Sequence, residues 1–361
     1  MENIRRISAE RTIALGLDVD LARSTVVAID VATGSIEFEG HVAHTEQAWR
    51  KVLKRFPDAA LWACYEAGNR GFGLCRMLRR MGVDCQIVAP SAMPKSPVHK
   101  QTKNDRRDAL ALAQLYFNRP RSFVRVPTEQ EEADRQLMRT RIQLVNDKVR
   151  VMNRIKSFLN NYGFQPPVGK GKATWSKAFR DWLKSFDTGH PGLRTALDAK
   201  LRQLDFLEEE IRRITAEITA LSRTEAYHDR CQRLCRIRGV GTLTAMAFLL
   251  EVYRPHEFST AEKLASHLGL TQCEYSSGGK VRRGHITHWG PSHLRRLLVE
   301  AAWIWVSKDE NARQRYASIR FGKERKRAIV AMARRLAIAM WAMTVKEQDY
   351  DYHWVKAPQA A

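Results

Sequence analysis

Hydrophobic and polar positions change their period twice along this chain, and the changes divide it into three stretches. In the first, Ile13, Leu15, Leu17 and Val19 alternate with other residues, the period-2 signature of a strand. Two more strands are expected at Thr25–Ile29 and Ser35–Val42, joined across the turn pair Thr33-Gly34. Thr45 suits an N-cap and opens a helix to about Phe56. A fourth strand, Leu61–Tyr65, leads through Gly68 to a helix ending at Gly82, and a fifth, Cys85–Ala89, stops at Pro90. A polar loop, Ser91–Lys103, precedes a helix from about Asp105 to Tyr116. Three strands followed by helix, strand, helix, strand, helix is the order of a ribonuclease-H-like sheet; a doubly wound α/β sheet is the alternative that the pattern leaves open.

The middle stretch is helical. Glu129–Asn161 is rich in Arg and Lys and ends at Tyr162-Gly163 and Pro166-Pro167. A loop with Gly169, Lys170, Gly171 and Lys172 separates it from a second long helix, in which Leu204, Leu207, Ile211, Ile214, Ile218 and Leu221 step by three and four. That spacing makes a coiled-coil-like seam of about two and a half heptads. Its partner is either the Glu129–Asn161 helix of the same chain or a second copy. From Arg230 the last stretch reads as mainly helical, near Thr242–Val252, Thr260–Leu268, Pro291–Ser307 and Glu324–Thr344, with a Gly- and Ser-rich loop at Thr271–Gly290. The expected layout is therefore an α/β domain over residues 1–126, a helical connector over 127–227, a C-terminal domain over 228–345 and a tail over 346–361.

Charge narrows the partner. The 361 residues carry 61 Lys+Arg against 39 Asp+Glu, a net +22, with 44% hydrophobic residues. A folded chain that basic calls for a polyanion, DNA or RNA. Leu243–Val252 and Ala328–Met343 fall short of the roughly 18 apolar residues of a membrane span, the second being broken by Arg334 and Arg335, so no membrane is expected. The basic N-terminus has no apolar run behind it, and the six cysteines show no metal or disulfide spacing, which points to reduced thiols in the cytoplasm.

Four carboxylates stand out by position. Asp18 closes the first strand, Glu66 follows the fourth, and Asp105 and Asp108 are spaced i, i+3 on one helix face. First and fourth strands are neighbours in a ribonuclease-H-like sheet, so the four would converge. Like charges packed that closely need cations. Two Mg²⁺ ions, with Mn²⁺ an alternative, would suit such oxygen ligands and phosphodiester chemistry. Singly, each carboxylate is an ordinary turn or cap residue. Asp20 competes with Asp18, but Asp18 shares the face of Gly16, opposite Leu17 and Val19. Lys103, Arg106 and Arg107 would suit a scissile phosphate or a solvated helix face. A second cluster, TQCEYSSGGKVRRGHITHWG, sets serines and glycines beside Lys280, Arg282 and Arg283, which could cradle a phosphate. Ile237–Ala245 resembles a helix-hairpin-helix turn. The last helices set basic residues including Arg315, Arg325 and Arg327 beside an apolar stripe of Ile329, Met332, Leu336 and Met340.

The stretches GLDVDLARSTVVAID, CYEAGNRG and QTKNDRRDALALA resemble the Asp-Glu-Asp-Asp domain of the IS110-family transposases, and IRGVGTLTAMAFLLEV with LASHLGLTQCEYSSGGKVRRGHITHWGPSHLRRLLVEAAW resembles their C-terminal transposase domain, the IS1111 subgroup best. The resemblance implies a RuvC-like N-terminal domain whose four carboxylates match Asp18, Glu66, Asp105 and Asp108. It implies a catalytic serine that attacks DNA covalently; Ser277, just before the glycine, is the matching position, with Ser276 as the fallback. It also implies double-stranded DNA at the element ends and target, a structured non-coding guide RNA, and a homo-oligomer, dimer or tetramer, in a bacterial, nucleoid-associated setting. Lys103, Arg106, Lys280, Arg282 and Arg283 are the nucleic-acid-binding candidates. The rival readings are a junction-resolving nuclease without serine chemistry and a non-catalytic nucleic-acid-binding protein.

Overall fold

Strand β1 (Arg11–Val19) is apolar on both faces through its centre, Ile13, Leu15 and Leu17 on one and Ala14 and Gly16 on the other, so it must be covered on both sides. In the computed structural model it is the middle strand of five. The structure describes residues 11–68, 70–90, 93, 104–118, 123–166, 175–274, 282–322 and 324–350. The chain forms two compact units, Met1–Thr128 and Glu129–Ala361.

In the first unit, β2 (Arg23–Asp30) and β3 (Ile36–Ala43) add antiparallel on one side of β1, while β4 (Ala59–Glu66) and β5 (Asp84–Val88) add parallel on the other, giving the order β3-β2-β1-β4-β5. That is the order expected of a ribonuclease-H-like sheet. Helices α1 (Glu46–Leu53), capped by the Thr45 side chain, and α2 (Gly73–Arg80) contribute Trp49, Val52, Cys75 and Leu78 to a core on the Leu15 face. Helix α3 (Asp105–Gln114) covers the Gly16 face, with Ala109, Leu112 and Ala113 packed among Ala14, Val27, Trp62, Cys64 and Val88.

The second unit begins with α4 (Glu129–Asn161), followed by α5 (Lys177–Ser185) and α6 (Pro191–Leu221). Helices α4 and α6 run antiparallel: Lys148 reaches Glu208 at 2.8 Å, and Arg141 Nε donates to Thr215 Oγ1 at 2.8 Å. The heptad seam is thus used inside the chain, with Leu201, Leu204 and Leu207 packed beside Val151, Ile155 and Leu159. Helix α5 is absent from the sequence reading; its Trp182 ring stacks on Phe186 at 4.2 Å and seals the far end of this pair.

A second core joins α7 (His228–Cys235), α8 (Thr242–Glu251), α9 (Ala261–His267), α10 (Ser292–Lys308), α11 (Glu310–Arg320) and α12 (Arg325–Lys346), and takes in Met138 of α4 and Ile218 of α6. Helix α12 is long and apolar enough to cross a membrane by length and composition, which the sequence reading denied it. Here its stripe of Ile329, Met332, Leu336, Met340 and Met343 is buried against α7–α10. Trp305 is buried outright, and Trp303 and Trp341 pack at the edge of the same core. The stretch Thr271–Gly290, expected as a loop, contains an antiparallel pair, β6 (Gln272–Glu274) and β7 (Arg283–Ile286). Strands of three and four residues are too short to show a period, which is why the pattern missed them.

Candidate active site

Sheet register decides which side chains of the first unit meet. Strands β1 and β4 pair in parallel with Leu17 beside Tyr65, so one step further Asp18 lies beside Glu66. Partners across a ladder share a face. Asp18 and Glu66 therefore stand on the Gly16 face, at the carboxyl ends of two adjacent parallel strands. Asp18 is half-buried and Glu66 exposed. Asp20, the rival, lies past the strand end, 81% exposed, with its carboxylate 3.5 Å from Arg70.

Helix α3 crosses that face at a point set by Gly16. A Cβ there would come within 1.8 Å of the Ala109 carbonyl and 2.3 Å of the Ala113 amide, so only glycine lets the helix backbone rest on the strand. The Asn104 side chain accepts from the Arg106 amide and starts α3 with Asp105 and Asp108 in its first turn. Both acids complement the helix dipole, as the ordinary reading of them holds. Asp105 is exposed and also lines an open cleft of about 380 Å³ with Thr25, Glu39, Gly40, His41, Asn104 and Arg106. Thr25 is the ladder partner of Asp18, so the N-terminus of α3 lies toward the Asp18 end of β1. Asp108, half-buried, sits one turn along the same helix.

The four carboxylates thus belong to one face and one end of the sheet. Their oxygens form a hard donor set without nitrogen or sulfur, the kind Mg²⁺ accepts. Among the described residues no three His, Cys, Asp or Glu side chains close to ligating distance around one point. The fit to a divalent ion is one of donor type and placement.

The basic candidates divide. Arg106 Nε donates to Glu39 at 2.6 Å, so this cation is committed to the edge strand. Lys103 and Lys280 lie outside the described residues, as do Ser276 and Ser277. Arg282 is exposed, and Arg283 opens β7, where it pairs with Glu274 across the ladder. The base of that hairpin is clamped. Arg295 on α10, buried, donates Nη2 to the His288 carbonyl at 2.8 Å and Nη1 to those of Leu268 at 3.0 Å, Gly290 at 3.3 Å and Trp289. Gly269 and Gly290 have positive φ and lie so close to the facing backbone that a Cβ would reach the Trp289 and His267 carbonyls at 2.1 and 2.0 Å. Sequence reading missed Arg295; arginine in an apolar helix stretch was its one signal.

Elsewhere in the second unit, Gly239 at the hairpin turn before α8 is explained by packing, since a Cβ would meet the Ala301 carbonyl of α10 at 2.7 Å. Glu251, only 4% exposed, accepts from Arg139 Nε and Nη2 at 3.0 and 3.1 Å, with His293 Nε2 3.1 Å away. Burial pushes the Glu251 carboxyl up, but the neighbouring His293 and Arg139 outweigh it and hold it down at about 2. Arg313 and Arg327 pair with Glu310 and Glu324, whereas Arg315, Arg334 and Arg335 have no acidic partner among the described residues. Burial and repulsion from Arg315 and Arg334 push the Arg335 guanidinium down.

Comparison with known proteins closes the question of family. The model of the IS116/IS110/IS902 transposase family matches residues 231–317, and an IS110-type DEDD transposase model matches residues 15–164, which hold all four carboxylates. A Sinorhizobium fredii protein named as a transposase is 30% identical over 369 residues, covering 94% of this chain and 90% of its own. The chain belongs to the IS116/IS110/IS902 transposase family. The transposase of insertion sequence element IS1533 from Leptospira borgpetersenii is 28% identical over 81% of the chain and 85% of its own. That of element IS1111A from Coxiella burnetii is 28% identical over 76% of the chain and 75% of its own. Membership makes the chain an insertion-sequence transposase, an enzyme of DNA strand transfer, and its DEDD domain is RuvC-like and of a metal-dependent kind.

Proposed function

We propose that this transposase recombines an insertion sequence with its target through a site that combines the four carboxylates with a serine. Asp18, Glu66, Asp105 and Asp108 would hold two Mg²⁺ ions. Bound there, the ions would neutralise phosphate charge and lower the pKa of a bound hydroxyl. The carboxylates orient the scissile phosphodiester at the open end of β1 and β4. Ser277 Oγ then attacks phosphorus, forming a protein–DNA phosphodiester as the bond to the departing deoxyribose oxygen breaks, and the serine proton leaves with that oxygen. The reverse exchange with another DNA end rejoins the strands. The observation that carries the reading is the register placing Asp18 beside Glu66 under the helix that bears Asp105 and Asp108.

The layout is a RuvC-like domain over 1–126, a connector over 127–227, a C-terminal serine-containing domain over 228–345 and a tail over 346–361. A separate apolar cluster between α4, α5 and α6 supports a distinct connector. The site is completed between subunits of a dimer or tetramer, and an element-encoded structured RNA selects the DNA, with α4 and the arginines of α11 and α12 as basic surface. The deciding experiment incubates the protein with Mg²⁺ and cognate element DNA and maps any protein–DNA adduct. An adduct on Ser277 that Ser277→Ala abolishes supports the reading; recombination that persists in Ser277→Ala makes the chain a nuclease without serine chemistry. Sequencing RNA that copurifies from cells tests guidance, and recovery of random cellular RNA alone would refute it.

A further inference from the structure

We propose that Thr25 and His41 form a subsite for a backbone phosphate of the DNA strand held at the carboxylates, within three nucleotides of the cut. The inference rests on that face being the DNA-cutting site. Asp18 pairs with Thr25 on β2, and Thr25 pairs with His41 on β3, so the row Glu66–Asp18 continues over two more strands of the same face. Thr25 Oγ1 and His41 Nδ1 share a hydrogen bond of 3.2 Å. With the hydroxyl donating, Nδ1 is the acceptor and Nε2 carries the hydrogen. Nε2 has no partner among the described residues, and the ring is exposed on the edge strand.

Both residues line the cleft that also contains Asp105. In that cleft Arg106 Nε is bound to Glu39, and the Asn104 side-chain oxygen accepts from the Arg106 amide as the cap of α3. Nε2 of His41 is a donor in the cleft without such a partner among the described residues. Strand spacing of about 4.8 Å puts its backbone roughly 10 Å from Asp18, about three nucleotides of rise along a DNA strand. An imidazole N–H suits this place. It can donate to a phosphate oxygen, and the hydrogen bond of Nδ1 to Thr25 leaves Nε2 as the nitrogen that points outward.

The test uses the full-length protein, Mg²⁺ and a duplex carrying the element's own ends, with one methylphosphonate at each of the three phosphates on either side of the cut. For the wild-type protein we expect one position to lower cutting roughly 10- to 100-fold, the range of one hydrogen bond to a charged group. His41→Ala should lose the same factor on unmodified DNA and nothing further at that position, while staying sensitive at the others. His41→Gln should recover part of the loss, and Thr25→Val should weaken cutting several-fold. The same cycle is read in duplex affinity, which needs no cutting and serves if a variant cuts too slowly; His41→Gln replaces His41→Ala if circular dichroism shows misfolding. Wild-type behaviour of His41→Ala, or losses that add at every phosphate, would overturn the subsite. Asp18→Asn is run alongside: if it cuts at the wild-type rate the carboxylate reading fails, while the phosphate coupling still decides for or against His41.

Discussion

Replacing Gly16 by alanine tests the geometry on which the site depends. The new Cβ would start 1.8 Å from the Ala109 carbonyl oxygen and 2.3 Å from the Ala113 amide nitrogen, both backbone atoms of a helix that cannot yield by a rotamer change. Ordinary van der Waals separation begins near 3.5 Å, so α3 must shift by about 1.5 Å or the strand must bend. Overpacking of this kind costs about 1–3 kcal/mol. For a unit of this size that is a fall in Tm of roughly 3–15 °C. The larger consequence is for chemistry, because α3 carries Asp105 and Asp108. A misplacement near 1 Å costs about 100-fold in rate where orientation matters. The assay is strand cutting of element-end DNA well below the lowered Tm, with differential scanning calorimetry on the same samples. Gly73→Ala is the control, since a Cβ there meets nothing within 4 Å. If Gly16→Ala melts and cuts like the wild type, the close approach of α3 to β1 is wrong, and the convergence of the carboxylates loses its basis.

Three further outcomes are expected. Asp18→Asn should abolish cutting and Asp20→Asn should leave it within a few-fold, because only Asp18 lies in the Glu66 row while Asp20 is exposed beside Arg70; equal losses in a plasmid-excision assay would reopen the choice. Glu251, ordinarily near 4.5 and held at about 2 in the folded chain, contributes stability that is present above about pH 4.5 and lost as pH falls from there toward 2, on the order of 3 kcal/mol in full. Urea unfolding at pH 7 and at pH 3 should therefore show the wild type losing part of its advantage over Glu251→Gln on acidification, and a pH-independent gap would contradict the Arg139–Glu251–His293 assignment. Replacing Arg315 and Arg335 by alanine should weaken duplex binding uniformly across sequences and lower the slope of log affinity against log salt by about one for each phosphate no longer neutralised; an unchanged slope would remove α11 and α12 from the interface.

Local periodicity carried much of this protein. The five strands and α3 of the first unit, the long helix α4, and helices α8, α9, α10 and α12 lie within a few residues of where alternation and helical spacing put them, because burial of one face is written into neighbouring residues. Helix α6, by contrast, starts at Pro191, well before the seam that begins at Leu204. Helices α5, α7 and α11 and the β6–β7 hairpin were not separated, being short or set between longer elements. The apolar length of α12 was also underrated, since Arg334 and Arg335 interrupt its sequence but not its buried stripe.

By itself the sequence determined which residues could be chemical: the acid that ends a strand on the glycine face, the acid after the fourth strand, the i, i+3 pair, and the family to which they belong. Tertiary structure decided what stands beside what. Register, a property of two strands together, set Asp18 beside Glu66 and carried the row on to Thr25 and His41. Close approach, a property of two backbones, explains Gly16, Gly239 and Gly269. The heptad seam found its partner in α4, and Arg139, Glu251 and His293, spread over more than 150 positions, met as one buried cluster. Such pairings cost chain entropy that only the assembled core repays, so no stretch of sequence shorter than the fold could have shown them.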